Sequence, residues 1–166
     1  MADDSYPFTS FNFEVALEMQ QSDALDLPSP FCNGAFAECD GIEMTMEPKT
    51  VREGGNNTQQ IHLVGPASYG TLTLKRGMTS SQDLWVWFNA VVANPSAPTP
   101  ARGALANAVI TMCDSGQNPQ VIFRLQDCLP IKLKAAPMNA KDGLVAIEEI
   151  QIAYSSFSIQ PAPGVT

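Results

Sequence analysis

The chain has 166 residues, of which 45% are hydrophobic and 16% charged, and this length fits one domain spanning residues 1–166. The charged fraction lies well below the ~25% of typical soluble domains, which suggests that partners cover part of the surface. A formal net charge of -8, from nine basic and seventeen acidic residues, argues against gripping nucleic acid, which requires clustered Lys and Arg.

The first pattern along the chain is an alternation of apolar and polar residues from Phe11 to Met19, which predicts a half-buried strand. The stretch Ser22–Gly34 is rich in Asp, Pro and Ser and is predicted to be a loop. A second alternating strand is expected over Ile42–Met46, and Pro48 should end it because proline cannot donate to a ladder.

A long loop is predicted from Lys49 to Pro66, because hairpin connections usually have only ~2–5 residues. Loops of this length in a compact domain are usually functional or disordered. The chain returns to a strand at Tyr69–Lys75, with Leu72 and Leu74 on one face.

The period then changes to that of a helix. Ser80 or Ser81 is the expected cap, and Asp83 in the first turn suits the helix dipole. The apolar face is predicted from a spacing of three and four residues and comprises Leu84, Trp87, Phe88, Val91 and Val92. Asn94-Pro95 should stop this helix, the only one that the sequence predicts.

The second half of the chain is predicted to be mostly strands. After a proline-rich loop at Asn94–Arg102, the expected strands are Val109–Cys113, Val121–Leu125, Ile131–Leu133 and Leu144–Tyr154, with a hairpin turn at Asp114–Pro119 and a bulge at Glu148-Glu149. Residues 1–5 and 160–166 are expected to be flexible. The predicted fold is mainly β: a two-sheet β-barrel with one flanking α-helix and a long extended loop.

The sequence shows no constellation typical of a catalytic, cofactor or metal site. His62 has no local partner that would make it a general base, and Glu148 and Glu149 are interpreted as solvated or interface charges. The cysteines at 32, 39, 113 and 128 form no Cys-x-x-Cys pair, so buried or half-buried thiols are expected. We therefore expect no enzyme activity and no cofactor.

The N-terminal residues Met1–Asp4 lack the basic and apolar regions of a signal peptide. No apolar run approaches the ~18–20 residues that span a bilayer. Cytoplasmic assembly, without membrane binding by the protein itself, is the expectation.

Several short blocks, in order along most of the chain, resemble the tail-tube family of contractile phages and related injection systems. The blocks are Tyr6-Pro7-Phe8, Phe11-Asn12-Phe13, Gly41-Ile42-Glu43, Arg52-Glu53-Gly54-Gly55-Asn56, Gly65-Pro66, Tyr69-Gly70, Leu72-Thr73-Leu74-Lys75-Arg76-Gly77, Asp83-Leu84-Trp85, Pro130-Ile131-Lys132 and Val145-Ala146-Ile147-Glu148. The segment Tyr154-Ser155-Ser156 departs from the His-Glu-Gly that often closes the family's last strand.

The resemblance implies hexameric rings that stack into a hollow tube inside a contractile sheath, with sheath and baseplate proteins as partners and DNA or protein as cargo. It assigns contacts between subunits or rings to the long loop, at Thr50, Val51, Arg52, Glu53, Gly54, Gly55, Asn56 and Asn57. Leu84, Trp87, Phe88 and Val91 are then the core face of the helix. The net charge further predicts an acidic or neutral lumen along which cargo slides without sticking.

Two other functions remain open from the sequence. A paralogous subunit that initiates the tube at the baseplate would share the same blocks. A small-ligand-binding β-barrel is a different class, since such barrels can enclose a ligand, but it leaves the long loop unexplained.

Overall fold

The computed structural model describes residues 12–21, 27–34, 36–55, 58–93, 104–141 and 143–164. The expectations for residues 1–5, for the loop Asn94–Arg102 and for the helix stop at Asn94-Pro95 lie outside these ranges. The described elements are β1 (Phe13–Met19), β2 (Cys32–Gly34), β3 (Glu38–Asp40), β4 (Met44–Met46), β5 (Lys49–Val51), β6 (Ile61–Leu63), β7 (Ala67–Tyr69), β8 (Thr71–Gly77), α1 (Asp83–Val92), β9 (Ala106–Cys113), β10 (Pro119–Lys134), β11 (Ile147–Ala153) and β12 (Ser156–Pro161).

The main strands form two sheets that share β10. The strand order is β2-β1-β9-β10-β11-β8-β3, with β12 paired to the first half of β10. All of these pairings are antiparallel. The mainly β fold with one helix is confirmed, although the ladder of described strands is open, since β2 and β3 at its two ends do not pair with each other.

β10 is a single strand of 16 residues where the sequence predicts two separate strands. Its pairing with β9 shifts register between Leu125 and Cys128, and Asp127 within that interval has φ 53°. A non-glycine residue in this left-handed region marks a local bend, which lets one strand pass from the first sheet into the second.

The core lies between the sheets and under α1. Val15 and Leu17 of β1, and Leu72 and Leu74 of β8, are fully buried, as their alternation predicts. Trp87 is also fully buried and donates its indole N–H to the Ala104 carbonyl at 2.7 Å. The helix is thus fixed both by its apolar face and by one hydrogen bond to the segment that enters β9.

Some predicted details of α1 are wrong. The residue before the helix is Gln82, which makes no side-chain capping bond, so neither Ser80 nor Ser81 is the cap. Leu84 and Trp87 are buried and Phe88 and Val91 half-buried, but Val92 is exposed because it stands at the last helical turn.

The C-terminal tail is ordered further than expected. β12 includes Gln160 and Pro161, and Ala162 is buried and donates its backbone N–H to the Gln120 carbonyl at 3.0 Å. This backbone pairing with β10, which the sequence pattern does not signal, replaces the loose tail predicted from Gln160.

Candidate functional site

The feature that stands apart from the two sheets is an arm, defined here as residues 43–70. Within it β4 pairs with β7, and further out β5 pairs with β6. The segment predicted as a loop over Lys49–Pro66 therefore contains the short β5–β6 ribbon, and its other described residues lie outside strands. Its three-residue strands are too short for their periodicity to be recognised in the sequence.

The two ladders of the arm are joined with a shift of one residue. Met46 faces Ala67 in the first ladder, whereas Lys49 faces Leu63 in the second. Two residues join the outgoing strands and three join the returning strands, so the returning side contains the extra residue. A Cβ on Gly65 would come within 1.7 Å of the Glu47 carbonyl oxygen, so only glycine fits at this junction between the two ladders.

Each ladder has one face rich in apolar side chains. Met44 and Met46 share a face in the first ladder. Val51, Ile61 and Leu63 share a face with Lys49 in the second ladder, and this outer face is called here the apolar face of the arm. These five apolar side chains are each 39–61% exposed. The opposite faces carry Thr45 and Ser68 in the first ladder and Thr50 and His62 in the second.

An isolated two-stranded hairpin is at best marginally stable in water. Apolar surface displayed on such a ribbon, rather than packed on a core, is typical of an interaction site. We therefore interpret the apolar face of the arm as a surface that another molecule covers.

The base of the arm is held by the hydroxyl of Tyr154. This oxygen accepts a hydrogen bond from the Glu43 amide at 3.0 Å and lies 2.9 Å from the Gly41 carbonyl and 3.1 Å from the Glu43 carbonyl. The ring packs against Tyr69 at 5.8 Å and Phe157 at 6.1 Å between ring centroids. The point where the chain enters and leaves the arm is thus tied to the end of β11.

Gly41 makes this attachment possible. Its φ is +95°, and a Cβ on this residue would come within 1.8 Å of the Thr71 carbonyl oxygen. Only glycine combines this conformation with so close a backbone approach.

A buried ionic cluster joins α1 to the β8–β11 ladder. Arg76 pairs through Nε with Glu148 Oε1 at 2.5 Å and through Nη2 with Asp83 Oδ1 at 2.6 Å. Trp85 donates its indole N–H to the second oxygen of Glu148 at 3.2 Å, and Arg76 Nη1 donates to Cys32 Sγ at 3.1 Å. The helix start is therefore locked to the sheet by directional bonds as well as by packing.

This cluster corrects two predictions about Glu148. Glu148 is 2% exposed, so it is not a solvated charge. β11 pairs with β8 without a register shift, so there is no bulge at Glu148-Glu149. Glu148 points to the same side of β11 as the buried Ile150 and Ile152. The alternation of apolar residues is interrupted there because this inward position holds an acid, which pairs with Arg76.

Electrostatics within the cluster follow from burial and pairing. Burial alone raises the pKa of Asp83, but the hydrogen bonds from Arg76 and from the Leu84 amide outweigh it and hold that pKa below its ordinary value. Burial, reinforced by the Asp83 carboxylate, raises the pKa of the Cys32 thiol to about 12. Cys32 is therefore a protonated, unreactive thiol at neutral pH.

The predicted contact residues fall at the outer end of the arm. Thr50 and Val51 lie on β5, and the exposed residues Arg52, Glu53, Gly54 and Gly55 follow it toward the tip. Asn56 and Asn57 lie outside the described residues. Sequence reasoning missed the cluster of Arg76, Asp83 and Glu148, although all three stand in the motif blocks quoted above and strand parity points Glu148 inward.

The described part of the chain contains no group of three or more His, Cys, Asp or Glu placed to hold a metal ion. All four cysteines are free and buried or half-buried, as predicted. His62 is an exposed residue of β6. None of the helices within the described ranges is long and apolar enough to cross a membrane.

An arm with an uncovered apolar face, tied at its base to a β fold with open edges, is typical of a structural protein that assembles with other chains. The family model of the T4-like virus tail tube protein gp19 matches residues 9–158. The chain therefore belongs to the T4-like tail tube protein family and is a structural tube subunit, which confirms the resemblance seen in the sequence.

Solved structures share the fold. A chain of the anti-feeding prophage baseplate, solved by cryo-EM with 6-fold symmetrisation, matches with a TM-score of 0.77 and 24% identity, over 96% of this chain and 99% of that chain. A chain of the PVC extracellular contractile injection system, in its sheath-tube complex in the extended state, matches with a TM-score of 0.73 and 14% identity, over 96% and 95%. Hcp1 from Flavobacterium johnsoniae matches with a TM-score of 0.52 and 12% identity, over 88% and 94%. The comparison with curated proteins gives no match.

Proposed function

We propose that this protein forms hexameric rings that stack into the inner tube of a contractile injection system or phage tail. The observation that carries the proposal is the arm, whose apolar face has no core behind it and whose base is fixed to the sheet by Tyr154. A ring closes when one heterologous contact repeats until the rotation returns to its start, and a projecting element suits such a contact.

In this assembly the outer part of the arm contacts a neighbouring subunit or ring. The contact residues are Thr50, Val51, Arg52, Glu53, Gly54, Gly55, Asn56 and Asn57. Contacts of this kind bury the apolar side chains that the single chain leaves in water, at roughly 25 cal/mol per Å² of apolar surface. The exposed β12 edge and other open edges supply further backbone groups for pairing between copies.

The partners of the tube follow from the same assembly. Sheath and baseplate proteins contact its outside and its end, as the names of the matched sheath-tube and baseplate complexes suggest. Cargo, either protein or DNA, passes through the lumen, whose lining is acidic or neutral in keeping with the net charge of -8. The protein assembles in the cytoplasm, binds no membrane by itself and catalyses no reaction.

A second candidate is a subunit that initiates the tube at the baseplate. The match to a chain of the anti-feeding prophage baseplate, which covers 99% of that chain, favours it. Such a subunit would form one ring bound to a non-identical partner, so its purified form would stop at single rings instead of growing tubes.

Deletion of Thr50–Gln60 tests the proposal. Lys49 faces Leu63 across the ribbon, so the deletion leaves Ile61 and His62 as a two-residue connection and preserves the β4–β7 ladder. We expect a folded protein that forms no long tubes by negative-stain electron microscopy. Tubes of normal length from the deleted chain would refute the role of the arm.

A further inference from the structure

A second uncovered apolar surface lies in the segment before β11. It is a groove of about 700 Å³, called here the apolar groove, and its lining includes Pro137, Met138, Leu144, Val145 and Ile147. Met138, Leu144 and Val145 are 79–89% exposed, which is unusual for large apolar side chains outside an interface.

The apolar groove and the arm lie at opposite ends of the same ladder. β8 and β11 pair from Thr71 with Ala153, beside the base of the arm, to Gly77 with Ile147, beside the groove. The Met78 amide extends this pairing to the Ala146 carbonyl at 2.8 Å. The six steps from Thr71 to Gly77, at ~3.3 Å each, place the base of the arm and the apolar groove about 20 Å apart along the ladder.

Another cleft, of about 740 Å³, does not suit the apolar face of the arm. Its lining includes Gln20, Asp127 and Ser155, and Gln20 Nε2 donates to Asp127 Oδ1 at 2.8 Å. Tyr154 also lines this cleft, which places it at the same end of the ladder as the base of the arm. This cleft mixes polar groups with Leu105 and Leu129, and it lies at the arm's own end, so it does not offer the position for a repeating head-to-tail contact.

We propose that the apolar groove of one copy receives the apolar face of the arm from a second copy, so that subunits join head to tail along the β8–β11 direction. This inference rests on the proposed function and names the receptor surface for the arm. A heterologous contact needs two different complementary patches on one chain, and a head-to-tail repeat needs them at opposite ends. The arm and the groove meet both requirements, and both are apolar.

Two single substitutions separate the halves of this junction. Leu63→Asp charges the apolar face of the arm, and Leu144→Asp charges the groove; both positions are at least half exposed, so folding should be preserved. His62→Asp, on the opposite face of the same strand, is the matched control for the arm, and Val92→Asp on α1 controls for a charge at another exposed apolar position. Thermal unfolding of each variant checks the fold, and Leu144→Ser replaces Leu144→Asp if the latter does not fold.

Each junction variant should lose pelletable tubes at least tenfold, about the effect of 1.4 kcal/mol per contact, while both controls assemble normally. A mixture of the Leu63→Asp and Leu144→Asp proteins then has one intact arm and one intact groove. It should form particles with a single junction, visible as paired rings by electron microscopy, which neither variant forms alone.

The outcomes distinguish the groove from the broader function. If the unmodified chain makes tubes and Leu63→Asp abolishes them but Leu144→Asp does not, the tube function stands and the groove is overturned. Normal tubes from Leu63→Asp would also overturn the proposed role of the groove. So would a result in which neither variant assembles and their mixture forms no paired rings. If the unmodified chain forms neither rings nor tubes, the proposed function itself fails.

Discussion

Replacing Arg76 by methionine should destabilise the fold strongly, because it leaves two carboxylates without their cation. The side chains of Arg76 and Asp83 are each 11% exposed and that of Glu148 only 2%, so water cannot replace the lost partner. Breaking a buried pair by removing one member costs about 3–5 kcal/mol. Methionine keeps an aliphatic stem and removes the guanidinium, whose central carbon lies 5.9 Å from the Phe36 ring centroid, so the lost stability reports charge more than lost packing.

A double variant, Arg76→Met with Glu148→Met, distinguishes charge from shape. It removes the most deeply buried acid and leaves Asp83, whose carboxylate still accepts a hydrogen bond from the Leu84 amide at 2.8 Å. We expect it to recover most of the lost stability, apart from about 1 kcal/mol for the bond from Trp85 to Glu148.

The dependence of stability on pH should differ between the unmodified chain and the Arg76→Met variant. The pKa of Asp83 is depressed in the folded protein, so its contribution in the unmodified chain is fully present above the ordinary value of 3.8 and is lost as pH falls through the lower folded value. In Arg76→Met the bonds from Arg76 that lower the Asp83 pKa are gone, while the burial that raises it remains, so the loss of stability toward low pH should shrink.

Urea denaturation followed by tryptophan fluorescence measures these free energies. The chain lacking Thr50–Gln60 is the right background, because assembly stabilises the folded state by mass action and makes the midpoint depend on concentration. A loss below about 1 kcal/mol for Arg76→Met, or a double variant no more stable than the single one, would show that the cluster does not stabilise the fold as described.

Three smaller predictions concern the arm and the thiols. Tyr154→Phe should lower the free energy of unfolding by about 1–3 kcal/mol and speed hydrogen exchange at the base of the arm. The hydroxyl of Tyr69 bonds to no residue in the described ranges, so Tyr69→Phe should change neither quantity. Equal effects of the two substitutions would contradict the role of the Tyr154 hydroxyl. Gly65→Ala should distort the arm and suppress tubes, because its Cβ collides with backbone; tubes of normal length by electron microscopy would contradict this. The four cysteines should react with a thiol reagent at pH 7.5 only after denaturation, because burial raises the pKa of each thiol. Rapid labelling of the native protein would contradict this prediction.

Sequence patterns predicted those parts of the fold in which a single periodicity persists over many residues. The alternation along β1 and the two leucines of β8 placed the correct side chains in the core, and Leu84 and Trp87 identified the buried face of α1. Each of these elements packs one face against the core, so hydrophobic burial imposes its period on the sequence.

Where pairing, rather than periodicity, defines an element, the sequence was less informative. β2 and β3 have three residues each, and backbone bonds to β1 and β8 hold them in place. β10 continues through the bend at Asp127 because β9, β11 and β12 pair along it.

The segment that contains the arm was predicted as a contact loop, and its contacts stay a prediction, but its paired ribbon was not foreseen. The motif blocks predict contacts in the segment that contains the arm, but its ribbon structure depends on one extra residue between Leu63 and Ala67 that no period reveals. The role of Glu148 was also hidden, since an acid at an inward position can be interpreted only when its distant partner Arg76 is known.

Electron microscopy of the purified full chain at increasing concentration shows whether this protein builds a tube from copies of itself. We expect hollow tubes of stacked six-membered rings that grow longer as the protein is concentrated, with the amides of the arm becoming protected from hydrogen exchange only on assembly. A chain that stays monomeric at every concentration, with the arm already protected against its own body, would contradict it.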